Sequence, residues 1–246
     1  IDDTLTWEGR LVPEAFEALT LLQKENLRVI PITGRPAGWV DHIARMWPVD
    51  GVVGENGGLW FYMNEGKLQC RYLQDRSVRQ ENRAKLDSLA NTILQAVPGT
   101  ALASDQAYRA LDLAIDFCED VDPLPEEAID RIVREFEKIG AVCKVSSIHV
   151  NGWFGQFDKA EGCRRFLLER FGEDLEEEKD NYAFFGDSAN DEPLFSQFGL
   201  SIGVANVAEF LPRMTTGPRY IATRNGGHGF AEGIQHILSL RGAACP

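Results

Sequence analysis

The feature that most constrains this chain is a regular alternation of helix-forming and strand-forming segments in its first and last thirds. In the first third, the residue pattern predicts helices over 13–26 and 36–46, strands over 28–32 and 51–54, and a hairpin over 59–73. In the last third it predicts helices over 159–171, 192–198, 207–211 and 229–240, and strands over 182–185, 200–203 and 219–222. Strands that alternate with helices form a parallel sheet with helices on both faces. We therefore expect a doubly wound, Rossmann-like α/β core.

The middle of the chain follows a different order. The pattern there predicts helices over 77–97 and 124–139, and strands over 100–104, 111–117, 141–146 and 147–151. Within 111–117, apolar residues alternate with Asp112, Ala114 and Asp116, which is typical of an antiparallel strand with one buried face. A stretch of about a hundred residues is too long for a structureless loop. We expect an inserted α+β domain of order α-β-β-α-β-β over 77–155, between core segments 1–76 and 156–246.

The formal net charge of -13 narrows the class of partners. An acidic surface repels phosphate backbones and anionic lipids, so we expect no nucleic-acid partner and no membrane partner. No apolar run approaches the ~20 residues of a membrane span. The 5 cysteines are odd in number and lack CxxC spacing, which is typical of reduced thiols in a cytoplasmic protein. The sequence does not fix the oligomeric state.

One cluster of polar residues follows the strand predicted over 182–185. Gly186-Asp187-Ser188 comes directly after it, and Asn190 and Asp191 precede the next helix. Active sites of doubly wound sheets lie at the carboxyl ends of the strands. Two carboxylates at such an end suit a hard cation such as Mg²⁺, which prefers oxygen ligands. The alternative is an acidic helix cap, but the strand context favours a functional site.

Three further segments complete a possible site. Thr33 and Gly34 end a predicted strand, where a hydroxyl and backbone N–H groups could hold an anion, although Thr-Gly alone is only a turn. Lys159 opens the helix that follows the insert, although a lone Lys is normally solvated. The segment IDDTLT at residues 1–6 adds Asp2. Carboxylates for a metal, donors for phosphate oxygens and a Lys for charge are what phosphoryl transfer requires.

These four segments resemble the four motifs of the haloacid dehalogenase (HAD) superfamily of phosphohydrolases. IDDTLT is similar to the first motif, D-x-D-x-T, from its second position onward, with Asp2 as the second Asp and Thr4 as the Thr. TGRP matches the second motif at Thr33, Lys159 the third, and GDSAND the fourth. An insert between the second and third motifs, and the turn ENGG at 55–58, resemble members with a type IIB cap. That group includes sucrose-phosphate, trehalose-phosphate and mannosyl-phosphoglycerate phosphatases.

The resemblance implies a mechanism and a role for each matching residue. An Asp expected just before Ile1, at the end of an apolar strand, would attack phosphorus and form an aspartyl phosphate. Asp2 would be the general acid/base, with Thr33 and Lys159 as the other catalytic residues. Mg²⁺ would be held by the Asp2 carbonyl and by Asp187, supported by Asp191. Phosphate oxygens would be bound by Thr33, Gly34, Lys159 and Asn190.

The insert should select the substrate, which the resemblance implies is a phosphorylated sugar or similar small polyol. In SSIHVNGW, Ser147, His149 and Asn151 fall on one face of a predicted strand. We expect this face to contact sugar hydroxyls; the alternative is a solvent-facing strand. Arg35 is a further candidate substrate contact. Trp153 is either a stacking platform or an aromatic residue at a domain interface.

Three other functions stay open. A phosphomutase of the phosphomannomutase type would need a cluster of Arg residues in the insert, and the sequence has no added cluster there. A non-catalytic binding module would be indicated by Asn, Ser or Gly in place of the expected Asp before Ile1. Dehalogenase chemistry is less favoured, because it does not need the metal-binding carboxylates of the GDSAND segment. The leading expectation is a Mg²⁺-dependent phosphatase that acts on a small phosphorylated molecule.

Overall fold

The computed structural model describes residues 1–146 and 148–243. The chain divides into two compact units. The core unit comprises Ile1–Thr33, Met46–Val52 and Cys163–Pro246, and the inserted unit comprises Gly34–Arg45 and Val53–Gly162. The predicted insert, 77–155, lies inside the inserted unit, and its boundaries stay a prediction. In the described part of the chain, no helix is both long enough and apolar enough to cross a bilayer.

The elements follow one another in the mixed order that the sequence indicates. The strands are β1 (Thr6–Trp7), β2 (Arg10–Leu11), β3 (Val52–Gly54), β4 (Leu59–Asn64), β5 (Lys67–Tyr72), β6 (Ala101–Leu102), β7 (Leu113–Asp116), β8 (Val142–Val145), β9 (His149–Trp153), β10 (Ala183–Gly186), β11 (Leu200–Gly203) and β12 (Tyr220–Ile221). The helices are α1 (Pro13–Lys24), α2 (Ala37–Met46), α3 (Arg76–Ala96), α4 (Glu126–Lys138), α5 (Lys159–Phe171), α6 (Leu175–Glu178), α7 (Glu192–Gln197) and α8 (Gly226–Ala243).

The core unit contains the parallel sheet that the sequence predicts. Strands β10, β11 and β12 are neighbours in that order, and both pairings are parallel. Helices α1 and α8 pack together, and their apolar faces bury Leu19, Phe230 and Ile234 in one cluster. Gly186, the last residue of β10, pairs with Gly203 of β11. The polar segment that begins at Asp187 therefore follows the carboxyl end of a parallel strand, and the predicted α/β class is confirmed.

The inserted unit contains an antiparallel sheet with helices of its own. Its strand order is β6-β7-β9-β8, and all three pairings are antiparallel. Helices α3 and α4 pack against this sheet, and Leu86, Ile115, Ile132 and Phe136 are buried in their common core. The chain order α3-β6-β7-α4-β8-β9 is the predicted α-β-β-α-β-β. The predicted hairpin is also present, as β4 and β5 paired from Leu59–Tyr72 to Asn64–Lys67.

Two predicted elements of the core unit are wrong. Residues 28–32 form no strand beyond a single bridge at Ile32. The N–H of Val29 donates to the Asp50 carboxylate at 2.8 Å, and the N–H of Asp50 donates to the Val29 carbonyl at 2.9 Å. The Asp50 side chain thus accepts the Val29 N–H in place of the backbone carbonyl of a neighbouring strand, so no regular strand forms. The helix predicted over 207–211 is a pair of 3₁₀ turns, Ala205–Glu209 and Leu211–Arg213, because Pro212 cannot supply an N–H to a continuing helix.

The strand predicted over 111–117 is present, but it is not half-buried. All four residues of β7 are buried, and the exposed fractions of Asp112 and Asp116 are both 0%. The Asp116 carboxylate accepts N–H groups of Cys118, Glu119 and Asp120 at 2.8–2.9 Å. Hydrogen bonds of this kind compensate the burial of a charge. The expected solvent-facing side of β7 is therefore a buried polar layer.

Candidate active site

The hydroxyl group of Thr4 links two of the predicted metal ligands in the core unit. Thr4 is buried, and its Oγ1 donates a hydrogen bond to Oδ1 of Asp187. The same Oγ1 lies 3.5 Å from the carbonyl oxygen of Asp2. Residues 1–6 are held by a turn in which N–H groups of Thr4, Leu5 and Thr6 donate to the Ile1 carbonyl. The structure therefore brings the carbonyl of Asp2 and the carboxylate of Asp187 to one hydroxyl group.

Asp191 supports the backbone that carries Asp187. Its carboxylate, in a residue with an exposed fraction of 5%, accepts the N–H of Asp187 at 3.0 Å. Gly186 allows this approach, because a Cβ there would lie 2.7 Å from Oδ2 of Asp191. The segment folds as a 3₁₀ turn, Ala189–Asp191, that leads into α7. The carboxylate of Asp191 thus fixes the direction in which the chain leaves β10.

The oxygen donors in this cluster fit a hard cation. Mg²⁺ is commonly bound through one or two carboxylates and keeps several waters. In residues 1–146 and 148–243, no group of three His, Cys, Asp or Glu side chains is arranged to hold a metal ion. The oxygen atoms that would hold a Mg²⁺ ion are the backbone carbonyl of Asp2 and the carboxylate of Asp187, and the link through Thr4 brings these two groups close to each other.

The predicted phosphate-binding residues are divided between the two units. Thr33, which is buried, and Asn190, which is exposed, belong to the core unit. Gly34 and Lys159 belong to the inserted unit, and Lys159 is the half-buried first residue of α5. Thr33 stands at the end of the short extended segment that contains the bridge at Ile32. Their roles in phosphate binding stay predictions.

Arg35 lies in an ionic cluster of the inserted unit. Its guanidinium Nη1 is 3.7 Å from the Asp105 carboxylate and 3.8 Å from the Glu119 carboxylate. The guanidinium carbon lies 4.4 Å from the centre of the Trp39 ring, within the range of a cation–π contact. These contacts hold the side chain in one place. The contact between Arg35 and the substrate stays a prediction.

Glu55 was not among the predicted site residues, although the turn ENGG was singled out. Its carboxylate is fully buried and accepts N–H groups of Ala37 at 2.9 Å, Ala110 at 2.8 Å, Leu111 at 2.6 Å and Asp112 at 3.2 Å. Burial raises the pKa of Glu55 to about 7, and the nearby Asp112 carboxylate acts in the same direction. The N–H donors oppose this rise because they favour the ionised form.

Arg109 was also missed, because nothing in its sequence neighbourhood distinguishes it. The guanidinium is buried and bonds both oxygens of Asp105, at 2.9 and 3.1 Å, and both oxygens of Asp112, at 3.1 and 3.0 Å. Its Nη1 also donates to the carbonyl of Gly34 at 3.2 Å. The two carboxylates hold the pKa of Arg109 above its usual range despite burial. Arg109 is therefore a charged anchor for residues that follow Thr33.

The polar face of β9 is buried, so the solvent-facing alternative is wrong. The exposed fractions of His149 and Asn151 are 2% and 6%. Nδ2 of Asn151 donates to Asp112 at 3.1 Å, and Nε2 of His149 lies 2.8 Å from the Glu119 carboxylate. Burial lowers the pKa of His149, although Glu119 acts against this. Ser147, the third residue predicted on this face, lies outside the described residues.

Trp153 ends the same strand in an apolar environment. Its exposed fraction is 1%, and its ring stacks on Phe157 with centroids 5.6 Å apart. The Trp153 side chain is thus packed inside the protein together with Phe157, and its ring contributes to the core there.

Comparisons with known proteins agree with this architecture. Residues 125–232 match the family described as haloacid dehalogenase-like hydrolase. The phosphoglycolate phosphatase of Methanobrevibacter smithii is 24% identical over 244 residues, which cover 97% of this chain and 96% of that protein. The structure of Thermoplasma acidophilum 0175 is similar, with a TM-score of 0.72, 19% identity, and coverage of 96% of this chain and 94% of that one. Sucrose-phosphatase of Synechocystis, solved with sucrose and phosphate, has a TM-score of 0.65, 16% identity, and coverage of 96% and 94%.

These matches agree with the fold and with the position of the strand-terminal carboxylates. Residues 125–232 are similar to the haloacid dehalogenase-like hydrolases, and the solved structures named above share the fold of nearly the whole chain. The resemblance to phosphatases of this superfamily with a type IIB cap, inferred above from the motifs and the position of the insert, is confirmed.

Proposed function

We propose that this protein is a Mg²⁺-dependent phosphomonoester hydrolase that works through an aspartyl-phosphate intermediate. The observation that carries the proposal is the cluster in which Thr4 links the Asp2 carbonyl to the Asp187 carboxylate at the end of β10. Phosphoryl transfer is catalysed mainly by positioning the reacting groups and by stabilising the charge of the transition state. A cluster of oxygen ligands at the end of a parallel strand is suited to that task.

In this proposal, each residue has a distinct task. The Asp expected before Ile1 attacks phosphorus, and the phosphoryl group moves to its carboxylate as the bond to the alcohol oxygen breaks. Asp2 donates a proton to the leaving alcohol and later removes one from the attacking water. Mg²⁺, held by the Asp2 carbonyl and Asp187, would neutralise charge on the phosphoryl oxygens. Asp191 keeps the Asp187 backbone in place through its 3.0 Å hydrogen bond.

The remaining residues would bind the phosphoryl group. Thr33, Gly34 and Asn190 would donate hydrogen bonds to its oxygens, and Lys159 would supply a positive charge. The thiols of Cys70, Cys143 and Cys163 are free, which suits the reducing cytoplasm as the compartment of this proposal. The partner is a phosphorylated small molecule, since the net charge of -13 disfavours nucleic acid.

Two substrate classes have specific support. The relative named phosphoglycolate phosphatase matches nearly the whole chain, which favours a short phosphorylated acid. The similarity to sucrose-phosphatase in fold, and the polar side chains of His149 and Asn151, favour a sugar phosphate or polyol phosphate. In the second case, His149 and Asn151 of the inserted unit would form hydrogen bonds with the hydroxyl groups of the substrate. Substituting His149 and Asn151 should then lower kcat/KM for the sugar phosphate and not for 2-phosphoglycolate.

The test is phosphate release by a chain that carries the Asp expected before Ile1. A panel of 2-phosphoglycolate and sugar phosphates is assayed with Mg²⁺ and with EDTA. We expect turnover with Mg²⁺ only, with Asp2→Asn lowering kcat by about 10²–10⁴. Asp187→Asn should raise the Mg²⁺ concentration needed for half-maximal activity. Asp41→Asn, which removes an exposed carboxylate paired with Arg45, is the matched control and should leave activity unchanged. Release of no phosphate from any ester would overturn the proposal.

A further inference from the structure

The turn at Glu55–Gly57 has an unfavourable backbone that requires an explanation. Three consecutive residues, Glu55, Asn56 and Gly57, have positive φ angles of 44°, 56° and 102°. Only Gly adopts this region at no steric cost, so the backbone is strained at Glu55 and Asn56. We call residues 55–57 the ENG turn. A strained segment that is fully buried at Glu55 persists because its surroundings determine it, which is typical of functional sites.

The ENG turn holds the residues that directly follow Thr33. The backbone N–H of Glu55 donates to the Arg35 carbonyl at 3.1 Å, and the Glu55 carboxylate accepts the N–H of Ala37 at 2.9 Å. The same carboxylate accepts three N–H groups from 110–112, next to Arg109. Arg109 in turn donates to the Gly34 carbonyl at 3.2 Å. The segment 34–37 is thus held at Gly34 by the side chain of Arg109, and at Arg35 and Ala37 by Glu55.

The other end of the ENG turn lies against the start of α5. A Cβ on Gly57 would lie 1.9 Å from the carbonyl oxygen of Asp158 and 3.2 Å from the nitrogen of Lys159. Equally, a Cβ on Gly162 would lie 2.3 Å from the Cα of Gly57. The two backbones therefore touch, and only glycine at 57 and 162 permits it. The position of the ENG turn sets the position of the backbone that carries Lys159.

We propose that the ENG turn is a positioning element of the active site, which sets the phosphate-binding backbone at Gly34 and the backbone of Lys159 relative to each other. Glu55 and Gly57 contact no substrate in this proposal; they act through the two segments that they hold. This inference rests on the proposed function, because the segments matter only if they bind the phosphoryl group. It accounts for the strain: the backbone of 55–57 must turn the Glu55 carboxylate inward and keep Gly57 against α5.

The first test replaces the carboxylate. In Glu55→Gln, the amide nitrogen faces N–H groups that the carboxylate oxygen accepted, so hydrogen bonds are lost on one side. We expect the inhibition constant for inorganic phosphate to rise about tenfold or more, together with a comparable loss in kcat/KM. The matched control is Asp116→Asn, another fully buried carboxylate that accepts backbone N–H groups, but of 118–120 and not of 34–37. It should lower Tm and leave the phosphate constant unchanged.

The second test replaces the glycine contact. Gly57→Ala forces the start of α5 away from the turn, and kcat should fall by about a hundredfold, as expected when a charge-stabilising group is displaced. Gly66→Ala is the control, since Gly66 also has a positive φ, of 73°, but a Cβ there meets nothing within 4 Å. Both variants place a non-glycine residue at a positive φ, 102° at Gly57 and 73° at Gly66, but the clash with the Asp158 carbonyl arises at Gly57 and not at Gly66. Thermal shift caused by added phosphate gives a second readout that does not depend on turnover.

The outcomes separate this inference from the proposed function. If the natural chain releases no phosphate from any ester, the proposed function fails. If it is active, and Glu55→Gln and Gly57→Ala lower Tm as their controls do while the phosphate constant and kcat stay at the natural values, the positioning role is wrong and the ENG turn is only structural. A fall in phosphate affinity confined to the two ENG-turn variants supports the inference.

Discussion

The Glu55 carboxylate is a single group whose burial has a measurable consequence. Its pKa is raised from 4.5 to about 7, mainly by burial and then by Asp112. Between pH 4.5 and about 7, Glu55 is therefore mostly protonated in the folded protein and mostly ionised in the unfolded chain. Since the folded state binds more protons in that interval, the free energy of unfolding falls as pH rises from about 4.5 to about 7, and levels above it.

The prediction compares the natural chain with Glu55→Gln, which has no proton to lose there. The free energy of unfolding of the natural chain, relative to that of the variant, should fall by up to about 1.4 kcal/mol per pH unit between pH 5 and 7. Urea unfolding at several pH values measures it. A difference that stays constant with pH, or that grows toward pH 7, contradicts a raised pKa.

Residue types were easier to predict than residue environments. Asp187 and Asp191 could be proposed because they follow an apolar strand, which is a local pattern. Asp112 and Asp116 alternate with apolar residues as solvent-facing positions do, yet both are fully buried. Glu55 receives the N–H of Leu111 from 56 positions away, and no local pattern contains that partner. The hydrogen-bond partners of a buried carboxylate are local for Asp116 and distant for Glu55, and in both cases they are known only from the fold.

At the scale of elements, close packing between β9 and α4 depends on one glycine. A Cβ on Gly152 would lie 2.2 Å from the Cδ1 and Cε1 atoms of Phe136, whose side chain is fully buried. We expect Gly152→Ala to lower the free energy of unfolding by about 1–3 kcal/mol, the typical effect of overpacking. The measurement is urea unfolding. Gly242→Ala, at an exposed helical site where a Cβ meets nothing, is the control and should be neutral or stabilising by up to about 1 kcal/mol.

A smaller side chain at position 136 tests whether the clash with the Phe136 ring is the reason why Gly152→Ala destabilises the protein. Phe136→Leu alone should destabilise by leaving a cavity, whereas Phe136→Leu combined with Gly152→Ala should cost less than the two single changes together. Additive losses would mean that the glycine is needed for backbone reasons, independent of the ring.

Elements with strong periodicity were predicted well, and irregular ones were not. Helices α3, α4 and α5 begin within two residues of the predicted starts, since each has an apolar stripe that packs on a neighbour. The strand predicted over 28–32 fails because Asp50 provides a side-chain partner to Val29. Short apolar runs do not reveal whether a ladder partner or a side chain will satisfy the backbone.

For the whole molecule, the net charge of -13 acts on every anionic ligand that approaches. Repulsion weakens with salt, because the Debye length falls to about 10 Å at 0.1 M ionic strength. Under the proposed function, KM should therefore fall as NaCl rises from about 20 to about 200 mM. The fall should be larger for 2-phosphoglycolate, which carries a carboxylate besides its phosphate, than for a sugar phosphate.

A surface variant isolates net charge as the cause. Glu176 and Glu177 are exposed on the short helix α6, and the double change Glu176→Gln with Glu177→Gln moves the net charge from -13 to -11, since each substitution removes one negative charge. The salt dependence of KM should become shallower in this variant, while kcat stays unchanged. Steady-state kinetics with both substrates at fixed free Mg²⁺ gives the comparison. A KM that rises with salt would mean that nearby cations such as Lys159 attract the substrate more strongly than the acidic surface repels it.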